Sequence, residues 1–368
     1  MRRTACAALL TLTLAGTLAG CGDGAATAAS GDAVLVGAGD TSCTVSTAEL
    51  PAGSHVFHIE NTGSQVTEVY LYDDGNRIVA EKEDIGPGLS YELTAQVSAG
   101  SYEVMCRPGM TGDGVRTRLT VTGAAGVDPA QTRAVSQYRA FVQEQADALV
   151  PLVQGFAAAV TVGDVARAKA LYAPSRVPWE TIEPVAESFG DLDPAIDARE
   201  ADLEPGQAWT GWHRIEKSLW AKGSTAGLAP VAAQLVHDVT ELRKRIGTAE
   251  LTVASIGNGA KELLDEVATG KITGEEEAFS HTDLVDVEAN VAGAQKALDV
   301  LRPLVQDPGL LAQLDAAFAG VDTALHPYRT PTGYVSYETV DAGGRRELAR
   351  VADALGEPLS RLSAAATA

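Results

Sequence analysis

The sequence predicts a multidomain chain in which an all-β sandwich is followed by an all-α helical bundle. Three observations carry that reading. Residues 33–121 are punctuated by Gly and Pro and hold short segments in which apolar and polar residues alternate. From Asp128 onward Gly thins out and long stretches carry apolar residues at helical spacing. Between the two lies a Gly- and Ala-rich stretch, residues 123–128, that reads as a linker.

Segments 55–60, 68–72, 90–96, 100–106 and 116–122 read as strands, with turns at Asn61-Thr62-Gly63, Asp73-Asp74-Gly75 and Gly86-Pro87-Gly88. Residues 33–122 thus form a small sandwich. Segments 129–160, 162–172, 178–188, 206–221, 228–246, 251–269, 283–304, 308–326 and 336–364 read as helices. A helical region over 129–368 most economically becomes one or two antiparallel bundles, whose interiors bring side chains from facing helices together.

The N-terminus reads as an export leader. Arg2 and Arg3 precede an apolar run from Ala5 to Leu18, too short for a stable membrane span. Leu18-Ala19-Gly20-Cys21 resembles the bacterial lipobox, which makes residues 1–20 a lipoprotein signal, Cys21 the lipidated first residue, and 21–32 a flexible tether to the outer side of the cytoplasmic membrane. Loss of the leader moves the formal net charge from −21 to −23, because it removes two arginines and no acids. Nucleic acid is excluded as a partner by that balance, and the excess of carboxylates draws cations instead. Cys43 and Cys106 are the cysteines left for chemistry, and outside the cytoplasm two thiols commonly pair.

The most informative stretch is Trp209-Thr210-Gly211-Trp212-His213-Arg214-Ile215-Glu216-Lys217-Ser218-Leu219-Trp220. On a helix, Trp209, His213, Glu216 and Trp220 follow an i, i+4, i+7, i+11 stripe, so two aromatics bracket an imidazole and a carboxylate on a buried face. Buried polar groups need partners; these two can satisfy each other as a core pair, or share a metal ion. Two acidic stretches flank the helix, one with Asp191, Asp193, Asp197 and Glu200, the other with Glu275, Glu276, Glu277, His281 and Asp283. One imidazole with several carboxylates is an oxygen-rich set suited to ferric or ferrous iron, manganese or zinc.

In the β-region, Tyr102-Glu103-Val104-Met105-Cys106-Arg107-Pro108-Gly109-Met110 resembles the end of the cupredoxin fold, where a strand ends in a metal-binding Cys and the next loop returns another ligand. The loop histidine of that fold is missing here, which argues against a blue-copper electron-transfer site. Cys43 and Cys106 with Met105 or Met110, Glu68 and Glu103 remain a second possible site for copper or iron; a Cys43–Cys106 disulfide is the equal alternative.

Taken together, the His213-x-x-Glu216 helix, the Phe189-Gly190-Asp191-Leu192-Asp193-Pro194-Ala195-Ile196-Asp197 stretch and Ser280-His281-Thr282-Asp283-Leu284 resemble the imelysin-like family. The two-part layout resembles its EfeO branch, in which a cupredoxin-like domain precedes the imelysin-like one. The resemblance covers nearly the whole mature chain. It implies an extracytoplasmic iron-uptake component working with a membrane permease and a haem-containing peroxidase. It also implies a metal held by His213 and Glu216 with an upstream Asp and a downstream Glu, assigned to Asp193 and Glu276, with Asp191, Asp197, Glu275 or Glu277 as substitutes.

Four function classes compete: iron capture and delivery, a metallopeptidase, a copper or iron redox protein with ferroxidase activity, and binding of an acidic polysaccharide through a bridging cation. Peptidase motifs pair two histidines with a Glu base, as in His-Glu-x-x-His or His-x-x-Glu-His, and Lys217 stands where the latter needs its second His. His55 and His58 read as packing or surface residues and His237 and His326 as structural, while His281 either supports the acidic run or belongs to a capping loop.

Overall fold

The computed structural model describes residues 33–126, 128–203 and 206–368. The leader, Cys21 and the tether lie outside the described residues. Residues Ala33–Ala368 form one compact unit.

The first part is a two-sheet sandwich. β1 (Val34–Gly39), β2 (Ser42–Val45), β4 (Gly53–Asn61) and β7 (Ser90–Val97) make one sheet in the order β2-β1-β4-β7. β3 (Glu49–Pro51), β5 (Thr67–Asp73), β6 (Ile78–Ile85), β8 (Gly100–Pro108) and β9 (Val115–Thr122) make the other, in the order β3-β9-β8-β5-β6. The β1/β4 and β3/β9 pairs are parallel and the rest antiparallel. The strand alternation buries Val36, Ile59, Val69, Val104 and Leu119 between the sheets. The segments that read as strands from their pattern all prove to be strands. Those that escaped it are β1, an unbroken apolar run; β2 and β3, too short to show a period; and β6, whose Glu81-Lys82-Glu83-Asp84 looks like a solvated loop.

The second part is helical: α1 (Pro129–Val162), α2 (Val165–Glu187), the single-turn α3 (Asp193–Ile196), α4 (Gly211–Ala221), α5 (Ala229–Ile246), α6 (Val253–Glu266), α7 (Asp283–Leu301), α8 (Pro308–Leu325), α9 (Ala342–Leu359) and α10 (Leu362–Thr367). Asp128 caps α1 by accepting the Ala130 N–H, and Gly163 ends it in the left-handed region. α1 packs along α2 and α5, α2 along α7, α7 along α6, and α8 along α9. Trp179, Trp212, Phe156, Tyr138 and Leu149 lie fully buried at the centre.

α2 corrects the sequence reading, which split it into 162–172 and 178–188 at its prolines. The helix runs unbroken through Pro174, Pro178 and Pro184. A helix proline leaves the carbonyl four residues back without its donor, at a cost that other partners must offset. Here Pro184 strands the Glu180 carbonyl, and the Asn290 amide from α7 donates to it at 2.8 Å. Gly293 lets α7 approach that closely, since a Cβ there would sit 2.3 Å from the Thr181 carbonyl oxygen.

The sandwich packs on the helices through β6, β7 and α6. Asn258 donates to the Thr94 carbonyl at 2.8 Å, and Lys82 pairs with Asp265 at 3.0 Å.

Candidate metal centre

Four segments meet at a buried cluster of ionisable groups. α2 presents Tyr172, Arg176, Glu180 and Glu183 on one stripe, the i, i+4, i+8 and i+11 positions of its inward face. α4 presents His213 and Glu216, one turn apart. The segment after α6 brings Lys271, Glu276 and Glu277. It leaves α6 through a π-helical turn, Val267–Lys271, a widened turn often found at functional sites.

Short α3 delivers the remaining acid. Gly211, the first residue of α4, has φ 77°, and a Cβ there would lie 2.0 Å from the Ile196 carbonyl oxygen. Only glycine allows the start of α4 to lie against the end of α3, which sets Asp197 opposite His213. Asp193, the acid expected first, starts the turn that Asp197 ends, its carbonyl accepting the Asp197 N–H, and the imidazole meets Asp197, one of the expected substitutes. Asp191 is on the surface, bonded to Arg245 at 2.7 Å.

His213 Nε2 lies 3.3 Å from Asp197 and 3.5 Å from Glu276, while Nδ1 lies 3.3 Å from Glu216. Glu216 is oriented by the Phe279 and Ser280 N–H groups, which donate to it at 3.0 and 2.6 Å. Glu277 accepts from the Tyr172 hydroxyl at 3.1 Å and from the Ser280 and Thr282 hydroxyls. Arg176, fully buried, lies among Asp197, Glu180, Glu276 and Glu277, with Glu277 at 2.9 Å, and its guanidinium covers the Trp212 ring at 5.4 Å. Lys271, also fully buried, pairs with Glu180 at 3.2 Å and Glu183 at 3.1 Å.

Of the expected ligands, His213, Glu216 and Glu276 come together. Three overlapping donor groups, each with ligand atoms within 4.8 Å of one another, run through the cluster: Glu180, Glu183 and Asp197; Asp197, His213 and Glu276; His213, Glu216 and Glu277. Asp197 and His213 each belong to two of them. His213 Nε2 is buried and has no hydrogen bond although two carboxylates face it, and both oxygens of buried Asp286 likewise lack one. The three donor groups could hold a cation, and so hard and oxygen-rich a set suits iron, manganese or zinc.

Electrostatics divide these donors into ionised and protonated groups. Burial pushes Asp197 up, but Arg176 and His213 outweigh it and hold its carboxyl below the usual range. Burial likewise opposes Glu276, yet Lys271 and His213 bring it down to about 2. Burial lifts Glu277 to about 8, and burial with Glu180 lifts Glu183 well above the ordinary value. For His213, burial and Arg176 favour the neutral ring, but the Asp197 carboxylate facing Nε2 and the Glu216 carboxylate at Nδ1 outweigh them and raise it well above 6.5.

Arg176, Glu180, Glu183 and Lys271 were missed from the sequence. The usable signal was Arg176-x-x-x-Glu180-x-x-Glu183 at helical spacing, interleaved with Trp179 and Ile182.

The second proposed set does not assemble. Cys43 on β2 and Cys106 on β8 form a disulfide across the two sheets, so neither sulfur is a thiolate ligand. Cys106 faces the core, whereas Glu68, paired in register with the next residue, Arg107, lies on the opposite face and binds Tyr70 and Arg107. Glu103 pairs with Arg116 at 3.0 Å, and Met110 sits beyond β8 with φ 57°. The stripe of the motif helix is corrected too: Trp209 precedes α4 and donates to the Ala198 carbonyl, and Trp212 is the fully buried indole. His281 lies 3.4 Å from Glu338, on the far side of the acidic run.

The comparisons agree with this division. The imelysin family matches residues 134–362, and the cupredoxin-like domain family matches residues 5–121. The chain is similar to the iron uptake system component EfeO of Escherichia coli and of Shigella flexneri, 40% identical to each over 335 residues, 88% of either chain. A solved structure of an iron-regulated protein A precursor from Parabacteroides distasonis shares the fold, with TM-score 0.51 and 15% identity over 68% of this chain and 99% of that one. The chain therefore belongs to the imelysin family, in the branch that carries an N-terminal cupredoxin-like region and includes the EfeO iron-uptake components.

Proposed function

We propose that this chain captures iron outside the cytoplasmic membrane, anchored through Cys21, and delivers it to the permease of an Efe-type uptake system that also includes a haem-containing peroxidase. The relatives named as iron uptake components support the cargo, and the lipobox-like sequence supports the address. The observation that carries the reading is the donor set at the buried centre. Six carboxylates, Glu180, Glu183, Asp197, Glu216, Glu276 and Glu277, gather with His213 in three overlapping groups whose ligand atoms lie within 4.8 Å of one another. A multivalent cation engages such a set by driving off the protons that Glu183, Glu277 and His213 hold.

Iron is the substrate of this site. Asp197 and Glu276, both held ionised, form its centre; His213 closes one side, with Glu216 fixing the ring, and Glu180 and Glu183 close the other. One imidazole among carboxylates suits holding and releasing a hard cation, and the paired cysteines withdraw the thiolates that a copper redox site needs.

The test is iron titration of the mature protein, followed by indole fluorescence. Trp179 and Trp212 touch edge to face beside the centre, and Trp220 packs on Tyr172. Saturable quenching is expected, with Asp197→Asn weakening it about a hundredfold, at the upper end of what loss of a supporting partner does. Quenching linear in iron, or identical in the variant, refutes the assignment.

A further inference from the structure

Two buried cations compensate the carboxylates, and they are held differently. Arg176 is held by five acidic partners, Glu180, Asp197, Glu276, Glu277 and, at 3.8 Å, Asp286, and lies over the faces of Trp212 and Tyr172. Lys271 lies between two carboxylates, Glu180 and Glu183, which with Asp197 make one of the donor groups. A third carboxylate, Glu266, lies 3.9 Å from its ammonium and reaches toward the edge of the protein, a third of its side chain exposed. Lys271 also ends the π-helical turn, in which the Ile272 N–H reaches back to the Val267 carbonyl at 2.9 Å. Such a turn relaxes to ordinary helical bonding through a shift of one residue.

We propose that Lys271 is a resident cation that iron displaces: when the ion engages Glu180 and Glu183, the ammonium crosses to Glu266. The inference rests on the iron-site reading above. An ion bound to both glutamates lies within a few ångströms of the ammonium, and like charges at that range do not share two carboxylates. The lysine thereby keeps the site from closing irreversibly on its cargo, since returning to Glu180 and Glu183 helps expel the ion. Its swing pulls on the segment that carries Glu276 and Glu277, only five and six residues further along the chain. Loading is thus read out at the π turn.

The test uses the mature protein with zinc(II) as a redox-inert probe and calorimetry as the readout. Lys271→Met keeps the stem and removes the charge, so zinc should bind about tenfold or more tightly. A lysine that merely props the glutamates would give the opposite sign, because its loss would loosen the donors. Unchanged or weaker binding overturns the proposal. Glu266→Gln tests the other end in a variant that leaves the Lys271 pair intact, and should weaken zinc binding several-fold; no change there also overturns it. Hydrogen exchange over residues 267–277 should change on zinc binding in the wild type and not in Lys271→Met. The control is Glu180→Gln: if wild type and that variant bind zinc equally, the site reading itself fails, separately from the role of the lysine.

Discussion

Replacing Gly211 with Ala tests how the fold builds the centre. The added Cβ would lie 2.0 Å from the Ile196 carbonyl oxygen and 2.5 Å from its carbon, where ordinary contact begins at 3.4 Å. Neither atom belongs to a flexible side chain, so α3 and α4 must separate by about 1 Å or more. The φ of 77° adds strain of about 1–2 kcal/mol for a residue with a side chain. With about 1–3 kcal/mol for the overlap, the variant should lose about 2–5 kcal/mol of stability. Asp197 follows Ile196 directly, so the same shift carries it away from His213. Metal sites tolerate only a few tenths of an ångström, so iron affinity should fall about ten- to a hundredfold. Urea unfolding gives the first number and indole quenching the second, measured well below the unfolding midpoint. A variant that loses stability but keeps wild-type affinity would show that the α3–α4 contact does not position the site; one that loses neither would refute the packing argument as well.

Titration of the unreduced, denatured mature protein should find no free thiol from Cys43 or Cys106, and reduction should cost about 4 kcal/mol, given the sequence separation of 63 that the bridge closes. Two reactive thiols would restore the ligand reading. Iron binding near pH 7 should release about one proton or more, because Glu277 at about 8 and His213, raised above 6.5, both hold protons there that the ion drives off. Affinity should accordingly climb with pH. The raised His213 value has the opposite effect on the metal-free protein, adding stability below 6.5 that is lost as pH rises through the folded value. Calorimetry in two buffers of different ionisation enthalpy checks the release, and equal heats would contradict it. Lys217→Ala should leave iron affinity unchanged, since Lys217 pairs with half-exposed Glu200 outside the centre; a loss beyond about twofold would contradict this.

The division into sandwich and helices was legible because the two periods differ, and His213 and Glu216 stood out because polar groups interrupted an aromatic-rich stripe. Half of the centre was hidden by local rules that tertiary packing overrides. Three prolines within α2 argue for a break, and the compensation for Pro184 comes from Asn290, more than a hundred residues away. Without a continuous α2, Arg176, Glu180 and Glu183 cannot be placed on one face. The choice between Asp193 and Asp197 turned on a single helical turn, decided by the contact of Gly211 with Ile196, which no pattern reveals. Lys271 was invisible because a lysine in a polar segment ordinarily faces solvent. The cysteine alternatives could not be separated by spacing, since opposing sheets bring the two sulfurs together.

Iron-edge anomalous diffraction from crystals of the mature protein soaked in ferric or ferrous iron tests the central claim most directly. The account predicts one dominant peak within coordination distance of Asp197 and Glu276, bounded by His213 on one side and by Glu180 and Glu183 on the other, and no peak at the Cys43–Cys106 bridge. A dominant peak elsewhere, or a fully soaked crystal in which Asp197 and Glu276 contact no iron, would contradict it.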